Sequence, residues 1–163
     1  MKALAKIVTL AMLVPRLDQI RRSGKKMVFT NGCFDILHVG HIRYLEAARS
    51  EGDMLVVGLN TDASVRWIKG QKRPIVNQDQ RAEVLAGLGC VDFVVPFDEP
   101  DPLRVIQALK PDVLVKGADW PEEKIIGAEL VKASGGKVVR IALFPGASTT
   151  GIIRKILEAY QGG

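Results

Sequence analysis

Apolar residues along this chain fall into two alternating rhythms. Short continuous runs, Met27-Val28-Phe29, Met54-Leu55-Val56-Val57, Phe93-Val94-Val95, Val113-Leu114-Val115 and residues 137–143, suit strands buried on both faces, as in a parallel sheet. Between them, apolar positions at three- and four-residue spacing predict helices over 16–23, 39–49, 63–68, 78–88, 101–109 and 125–134, and a last one ending at Tyr160. Gly24, Gly52, Lys110-Pro111 and Gly135-Gly136 supply the stops. Strand and helix alternate throughout, so the expected class is α/β: a doubly wound, five-stranded parallel sheet with helices on both faces. No internal repeat, low-complexity tract or linker divides it. The expected organisation is one domain over 1–163, with an N-terminal helical extension at 1–25 and a core at 26–161; Gly162-Gly163 is expected to fray.

The start of the chain needs a separate decision, because Lys2 and Lys6 precede an apolar run at 7–14, as in a secretory leader. There is no small-x-small cleavage site, the run ends at Pro15-Arg16, and it is too short to span a bilayer. A helix or two packed on the domain is expected instead. Two cysteines, Cys33 and Cys90, make no disulfide framework and fit a reducing, cytoplasmic setting. With 47% hydrophobic and 25% charged residues the composition is that of an ordinary globular protein. The formal charge of +5 asks for an anionic partner. The basic residues are scattered and no nucleic-acid-binding motif is present, which favours phosphorylated small molecules over nucleic acid or a membrane surface.

Candidate chemistry concentrates at residues 30–41, Thr30-Asn31-Gly32-Cys33-Phe34-Asp35-Ile36-Leu37-His38-Val39-Gly40-His41, where a strand turns into a helix. His38 and His41 are the chain's two histidines, and i, i+3 positions share a helix face. A helix start offers free N–H groups and the positive end of the dipole, and Gly32 and Gly40 permit close backbone approach, so the stretch reads as a phosphate site. A zinc site lacks a third histidine or a His-Glu-x-x-His pattern, and the accidental reading is a helix cap beside a core histidine. Gly146, Ser148, Thr149 and Thr150 form a second glycine loop before a helix, an anion device or merely a cap. Asn60 and Asp62 follow the second strand, where open α/β sheets place ligands, although Asp62 could simply cap the next helix. The basic loop with Lys69 and Arg73, and Arg81 beyond it, is either solvated surface or an arm that closes over phosphates. Gly117, Asp119 and Trp120 lie just beyond the carboxyl end of the fourth strand, and Trp120 could hold a nucleoside or cover the core.

With these pieces in place the chain resembles the cytidylyltransferase-like family of nucleotidyltransferases over roughly 26–158, and within it the heptose 1-phosphate adenylyltransferases. The matching stretches are 31–41 with its His-x-Gly-His, Asn60-Thr61-Asp62-Ala63-Ser64-Val65, Lys69-Gly70 with Arg73-Pro74, Leu114-Val115-Lys116-Gly117 with Asp119, and Gly146 with Ser148-Thr149-Thr150. The resemblance implies a Rossmann-like fold and transfer of AMP from ATP to D-glycero-β-D-manno-heptose 1-phosphate, giving ADP-heptose and pyrophosphate for lipopolysaccharide core biosynthesis. It implies His38, His41 and Lys69 in catalysis, and Thr30, Asn31, Gly32, Cys33, Phe34, Gly40, Gly117, Asp119, Gly146, Ser148, Thr149 and Thr150 along the nucleotide. Asp35, Asn60, Asp62, Lys69, Arg73 and Arg81 would serve the acceptor, with Asp35 orienting its loop. Mg²⁺ would be carried by the nucleotide, with no metal held by the protein; a homodimer is common in the family. In many bacteria a sugar kinase domain precedes this one in the same chain, so a stand-alone form is expected here. Phe144-Pro145 before Gly146 and Trp120 after Asp119 depart from the heptose pattern. They keep open a CTP-dependent enzyme of the glycerol 3-phosphate type. Outside catalysis, the alternatives are a nucleotide-binding module without turnover and a weak RNA-binding protein.

Overall fold

Five parallel strands make one sheet in the order β3-β2-β1-β4-β5: β1 is Met27–Gly32, β2 Met54–Asn60, β3 Phe93–Phe97, β4 Val113–Gly117 and β5 Lys137–Ile141. The computed structural model describes residues 2–161, so Gly162-Gly163, expected to fray, lie outside the described residues. Helices α1 (Leu10–Arg22), α5 (Leu103–Leu109) and α6 (Ala128–Ala133) pack on one face, where Leu13, Leu17, Val105, Ile106, Leu109 and Val131 meet Phe29, Val56, Val95 and Leu114. On the other face α2 (Val39–Arg49) and α4 (Gln78–Gly87) set Leu45, Ala48, Ala82 and Leu85 against Val28, Leu55, Val57 and Val113. Alternate residues of each strand thus feed two cores, which is why the strands read as unbroken apolar runs. Helix α3 (Asp62–Lys69) follows β2, and α7 (Thr149–Tyr160) closes the described chain.

Several elements differ from expectation. The first helix begins at Leu10, capped by the Thr9 side chain, and runs through Pro15, which lies on its exposed face. Ala11, whose carbonyl loses its donor there, is also exposed, so the proline is tolerated. Ahead of α1 the chain does more than form helix: after a 3-10 turn at Ala3–Lys6, Ile7 pairs with Val94 as a single parallel bridge. Lys6 Nζ donates to the carbonyls of Leu88 and Val91, fastening the segment over the edge strand. The expected 125–134 helix is shorter. Gly127 takes φ +85, and a Cβ there would lie 2.7 Å from Ile106, so this tight left-handed glycine separates a 3-10 turn at Glu122–Lys124 from α6.

The sheet order reverses between β1 and β4, and that is where such sheets open a crevice at their carboxyl ends. Pairing between these two strands stops at Phe29 and Leu114, although β1 continues to Gly32 and β4 to Gly117. The two strand ends therefore part, leaving a cleft between them.

Candidate active site

The cleft is floored by the turn from β1 into α2. Phe34 adopts φ +45, a left-handed conformation costly for a bulky side chain, and its ring lies 5.4 Å from that of His41. His38 is the N-cap residue of α2 and His41 its third residue. Their rings stack with centroids 3.9 Å apart. A Cβ on Gly40 would lie 3.0 Å from the His38 ring, so the glycine in His-Val-Gly-His leaves room for the stack. The Nδ1 atoms of both rings are buried without a partner, so the stack is held ready without being tied to the protein's own polar groups.

Burial, reinforced by the neighbouring His38, lowers the His41 pKa from 6.5 to about 4, and burial lowers that of His38 as well. Both rings are therefore neutral at pH 7. The folded-state value lies below the unfolded one, so this contribution to stability is complete above pH 6.5 and is lost as pH falls toward 4. The melting temperature is expected to decline across that window, and a His41→Gln variant to show a shallower decline. Equal slopes for the two proteins would contradict the burial of the ring.

Two adjoining compartments open from this floor. One is lined by His38, Gly40, Tyr44, Gly117, Asp119, Phe144 and Ser148; the other by Asp35, Asn60, Ile68, Arg73, Asp101, Lys124 and Thr150. They share a wall of Asn31, Gly32, Cys33, Phe34, His41, Lys69, Lys116, Trp120 and Thr149. Helix α7 enters this wall at its N-terminus. The Ser148 hydroxyl caps it by accepting from Gly151 N at 3.0 Å, and Thr149 Oγ1 donates to the Ile36 carbonyl, joining the second anion device to the first. Arg43 lies over the Phe144 ring at 4.3 Å, ordering the aromatic rim.

Most residues singled out in the sequence line one compartment or the other, but several are committed elsewhere. Thr30 lies beneath the floor, its hydroxyl 2.8 Å from that of Tyr44, whose pKa burial pushes up to about 12. Gly146 shapes its loop at φ +79 without lining either space. Asp62 does not cap α3; Thr61 does, and the Asp62 carboxylate instead pairs with Arg81 at 2.7 Å. Arg81, expected at the acceptor, is only 1% exposed. It donates to the carbonyls of Val76, Cys33 and Asn60 as well as to Asp62, so its guanidinium is spent inside the protein. Asp35 lines the second compartment, yet its carboxylate already accepts from Ile75 N, Val76 N and Arg73 Nε. Burial alone would raise its pKa, but those amides and the guanidinium together hold it below the usual carboxylate range. Burial raises the Cys33 pKa against the pull of Lys69, Arg81 and Arg73, which keeps it a thiol and argues against a nucleophile.

Lys116, Lys124, Asp101, Tyr44 and Phe144 line the site without having been assigned a role from sequence. Lys116 carried a usable signal, a lysine ending an apolar strand at the carboxyl edge of a parallel sheet. Asp101 signalled only a helix start, and its Oδ1 does accept from Leu103 N.

Comparison with known proteins follows the same outline. Residues 29–155 match the cytidylyltransferase-like family. The chain is 53% identical over 156 residues to the bifunctional protein HldE of Geobacter sulfurreducens, covering 96% of this chain and 32% of that protein. It is 54% identical over 156 residues to HldE of Citrifermentans bemidjiense, with the same coverage. The chain thus spans about a third of the length of these curated relatives. Among solved structures, the lipopolysaccharide core biosynthesis protein from Thermoplasma volcanium GSS1 superimposes with a TM-score of 0.65 at 32% identity, over 74% of this chain and 99% of that one. A pantoate-beta-alanine ligase from Francisella tularensis shares the fold at a TM-score of 0.60 and 20% identity, over 96% of this chain and 79% of that one.

Proposed function

The chain belongs to the cytidylyltransferase-like family, and from that membership we propose that it transfers AMP from ATP to D-glycero-β-D-manno-heptose 1-phosphate, releasing pyrophosphate and forming ADP-heptose for the lipopolysaccharide core. The observation that carries the reading is the pair of compartments meeting at one wall that holds His41, Lys69 and Lys116. A two-substrate phosphoryl reaction needs such a meeting point, with cations and donors around it and a separate pocket on either side. Identity to HldE over most of this chain, and structural likeness to a lipopolysaccharide core biosynthesis protein, support the heptose acceptor.

In this reading ATP lies in the compartment of Asp119, Trp120 and Phe144, with its phosphates between the starts of α2 and α7. The sugar phosphate enters from the side of Asn60 and Arg73. An oxygen of the acceptor phosphate attacks the α-phosphorus, and the bond to the β-phosphate breaks, its electron pair leaving with pyrophosphate. The nucleophile is already ionised near neutral pH, so no general base is required. His38 and His41 donate N–H groups to oxygens on which charge builds, and Lys69, at the end of α3, neutralises the approaching phosphates. Asp35 holds the loop carrying Arg73 in place.

Among the described residues no three His, Cys, Asp or Glu side chains gather to hold a metal. Of the carboxylates lining the site, Asp35 is already engaged. Mg²⁺ would come with the nucleotide, where it offsets phosphate charge. No helix among the described residues is long and apolar enough to cross a membrane. A cytoplasmic enzyme acting on small phosphorylated substrates agrees with that.

A second reading, CTP with glycerol 3-phosphate, is favoured by Trp120 and Phe144 lining the nucleotide compartment. Pyrophosphate release from ATP and from CTP, each with heptose 1-phosphate and with glycerol 3-phosphate, separates the two. Release from ATP with the heptose phosphate is expected to exceed every other pair by at least about a hundredfold, the discrimination a site built from specific hydrogen bonds can supply. Preference for CTP with glycerol 3-phosphate would move the protein to the second reading.

A further inference from the structure

We infer that Lys116 is a second catalytic lysine, whose ammonium grips the acceptor's phosphate where it meets the α-phosphorus. The inference rests on the nucleotidyl-transfer reading and adds to it a residue with no role there beyond its place in the shared wall.

Its position follows from the parting of β1 and β4. Extending the register Phe29↔Leu114 by two residues sets Asn31 opposite Lys116. Where the ladder has ended, the side chains meet instead, and Lys116 Nζ donates to Asn31 Oδ1 at 2.5 Å. An ammonium has three donors, and this bond uses one. Among the described residues Lys116 forms no ion pair. The amine is largely enclosed, and burial lowers its pKa to about 8, opposed by Cys33 and Asp119; at pH 7 it is still mostly charged. An enclosed cation whose donors exceed its partners is unfavourable for folding and is the form a waiting anion site takes.

The geometry also selects the anion. His38, Gly40 and Ser148 line only the nucleotide compartment, so the outer phosphates of ATP already have two helix starts there. Lys116 lies instead on the shared wall, with Lys124 and Arg73 beyond it on the acceptor side. Cys33 lies within electrostatic reach of both Lys69 and Lys116. Two ammonium groups from different elements, α3 and β4, thus share this wall. Two cations at one wall suit a dianionic phosphate monoester. During transfer Lys116 remains protonated: the acceptor oxygen forms its bond to the α-phosphorus, pyrophosphate departs with the electron pair, and the lysine moves no proton.

The test compares the wild type with Lys116→Met and Lys116→Gln, each checked for a melting temperature at or above that of the wild type. Steady-state rates are expected to show an acceptor KM raised about tenfold or more and kcat lowered about a hundredfold, with the KM for ATP within about twofold, the split produced by losing a donor to the acceptor alone. An unchanged acceptor KM, or a loss carried by the KM for ATP, would overturn the assignment. Calorimetric titration with inorganic phosphate, on protein saturated with α,β-methylene-ATP, asks the same question without turnover. Phosphate binding at least about tenfold tighter to the wild type than to Lys116→Met supports the site, by the strength of a charge-assisted contact; equal binding removes it. Lys116-dependent phosphate binding in a wild type inactive on the heptose phosphate would keep the lysine's role and overturn the heptose reading.

Discussion

Replacing His41 by alanine is expected to lower kcat by about a thousandfold while leaving the protein folded, the scale of losing a donor aimed at developing charge. His41 lines both compartments, so its ring faces the point where the substrates meet. It is held there by packing alone, stacked on His38 at 3.9 Å and against Phe34, with its buried Nδ1 unpartnered. A side chain held without polar anchors contributes little that the fold would miss, so the melting temperature should change by only a few degrees. The pKa near 4 also fixes the chemistry: a neutral imidazole donates an N–H to phosphate without supplying a full positive charge. The loss should therefore appear mainly in kcat, with the KM for ATP changed much less. Steady-state kinetics beside a thermal melt decide it, and a variant retaining more than about a tenth of wild-type kcat would contradict the role given to the motif.

Arg81→Ala is expected to be the most destabilising single change in the site region, by about 3–5 kcal/mol, the usual scale for breaking a buried pair and orphaning its partners. The guanidinium joins four segments: the β1–α2 turn through the Cys33 carbonyl, the end of β2 through Asn60, the start of α3 through Asp62, and the loop before α4 through Val76. With the side chain removed, the buried acceptors have no replacement and the Asp62 carboxylate loses its counter-charge. For a domain of this size that corresponds to a fall in melting temperature of roughly 10 °C. Arg81→Lys should recover little of it, because an ammonium cannot reproduce the fork that serves these acceptors. A melt within about 2 °C of the wild type for the alanine variant would contradict the bracing role.

The same residue shows where sequence stops being informative. A basic side chain in the first turn of a helix, after a basic loop, reads locally as a phosphate ligand. Its actual partners lie 48 and 21 residues away, at Cys33 and Asn60, and no local pattern reveals that those carbonyls will surround it. Asp62 meets the same limit: an acidic residue before a helix reads as a cap or as a ligand contact, and its pairing with Arg81, 19 residues on, leaves no local trace. The alternation of strand and helix, by contrast, was legible from end to end, because strands buried on both faces leave unbroken apolar runs. The helix starts at His38 and Ser148 were legible too, since capping and anion binding rest on short-range chemistry. The Ile7–Val94 bridge lay outside reach, as did the opening between β1 and β4. Both depend on how far a strand pairing extends, which the apolar runs do not encode.

The central claim is that the bond formed joins the acceptor's phosphate to the α-phosphorus of the nucleotide. The most direct test follows the reaction of ATP, heptose 1-phosphate and Mg²⁺ by phosphorus NMR, with mass spectrometry of the sugar product. Expected is the appearance of pyrophosphate together, one for one, with a nucleotide diphosphate sugar of the mass of ADP-heptose. ADP with inorganic phosphate, or ADP with a doubly phosphorylated sugar, would place the attack at the γ-phosphorus and contradict the account.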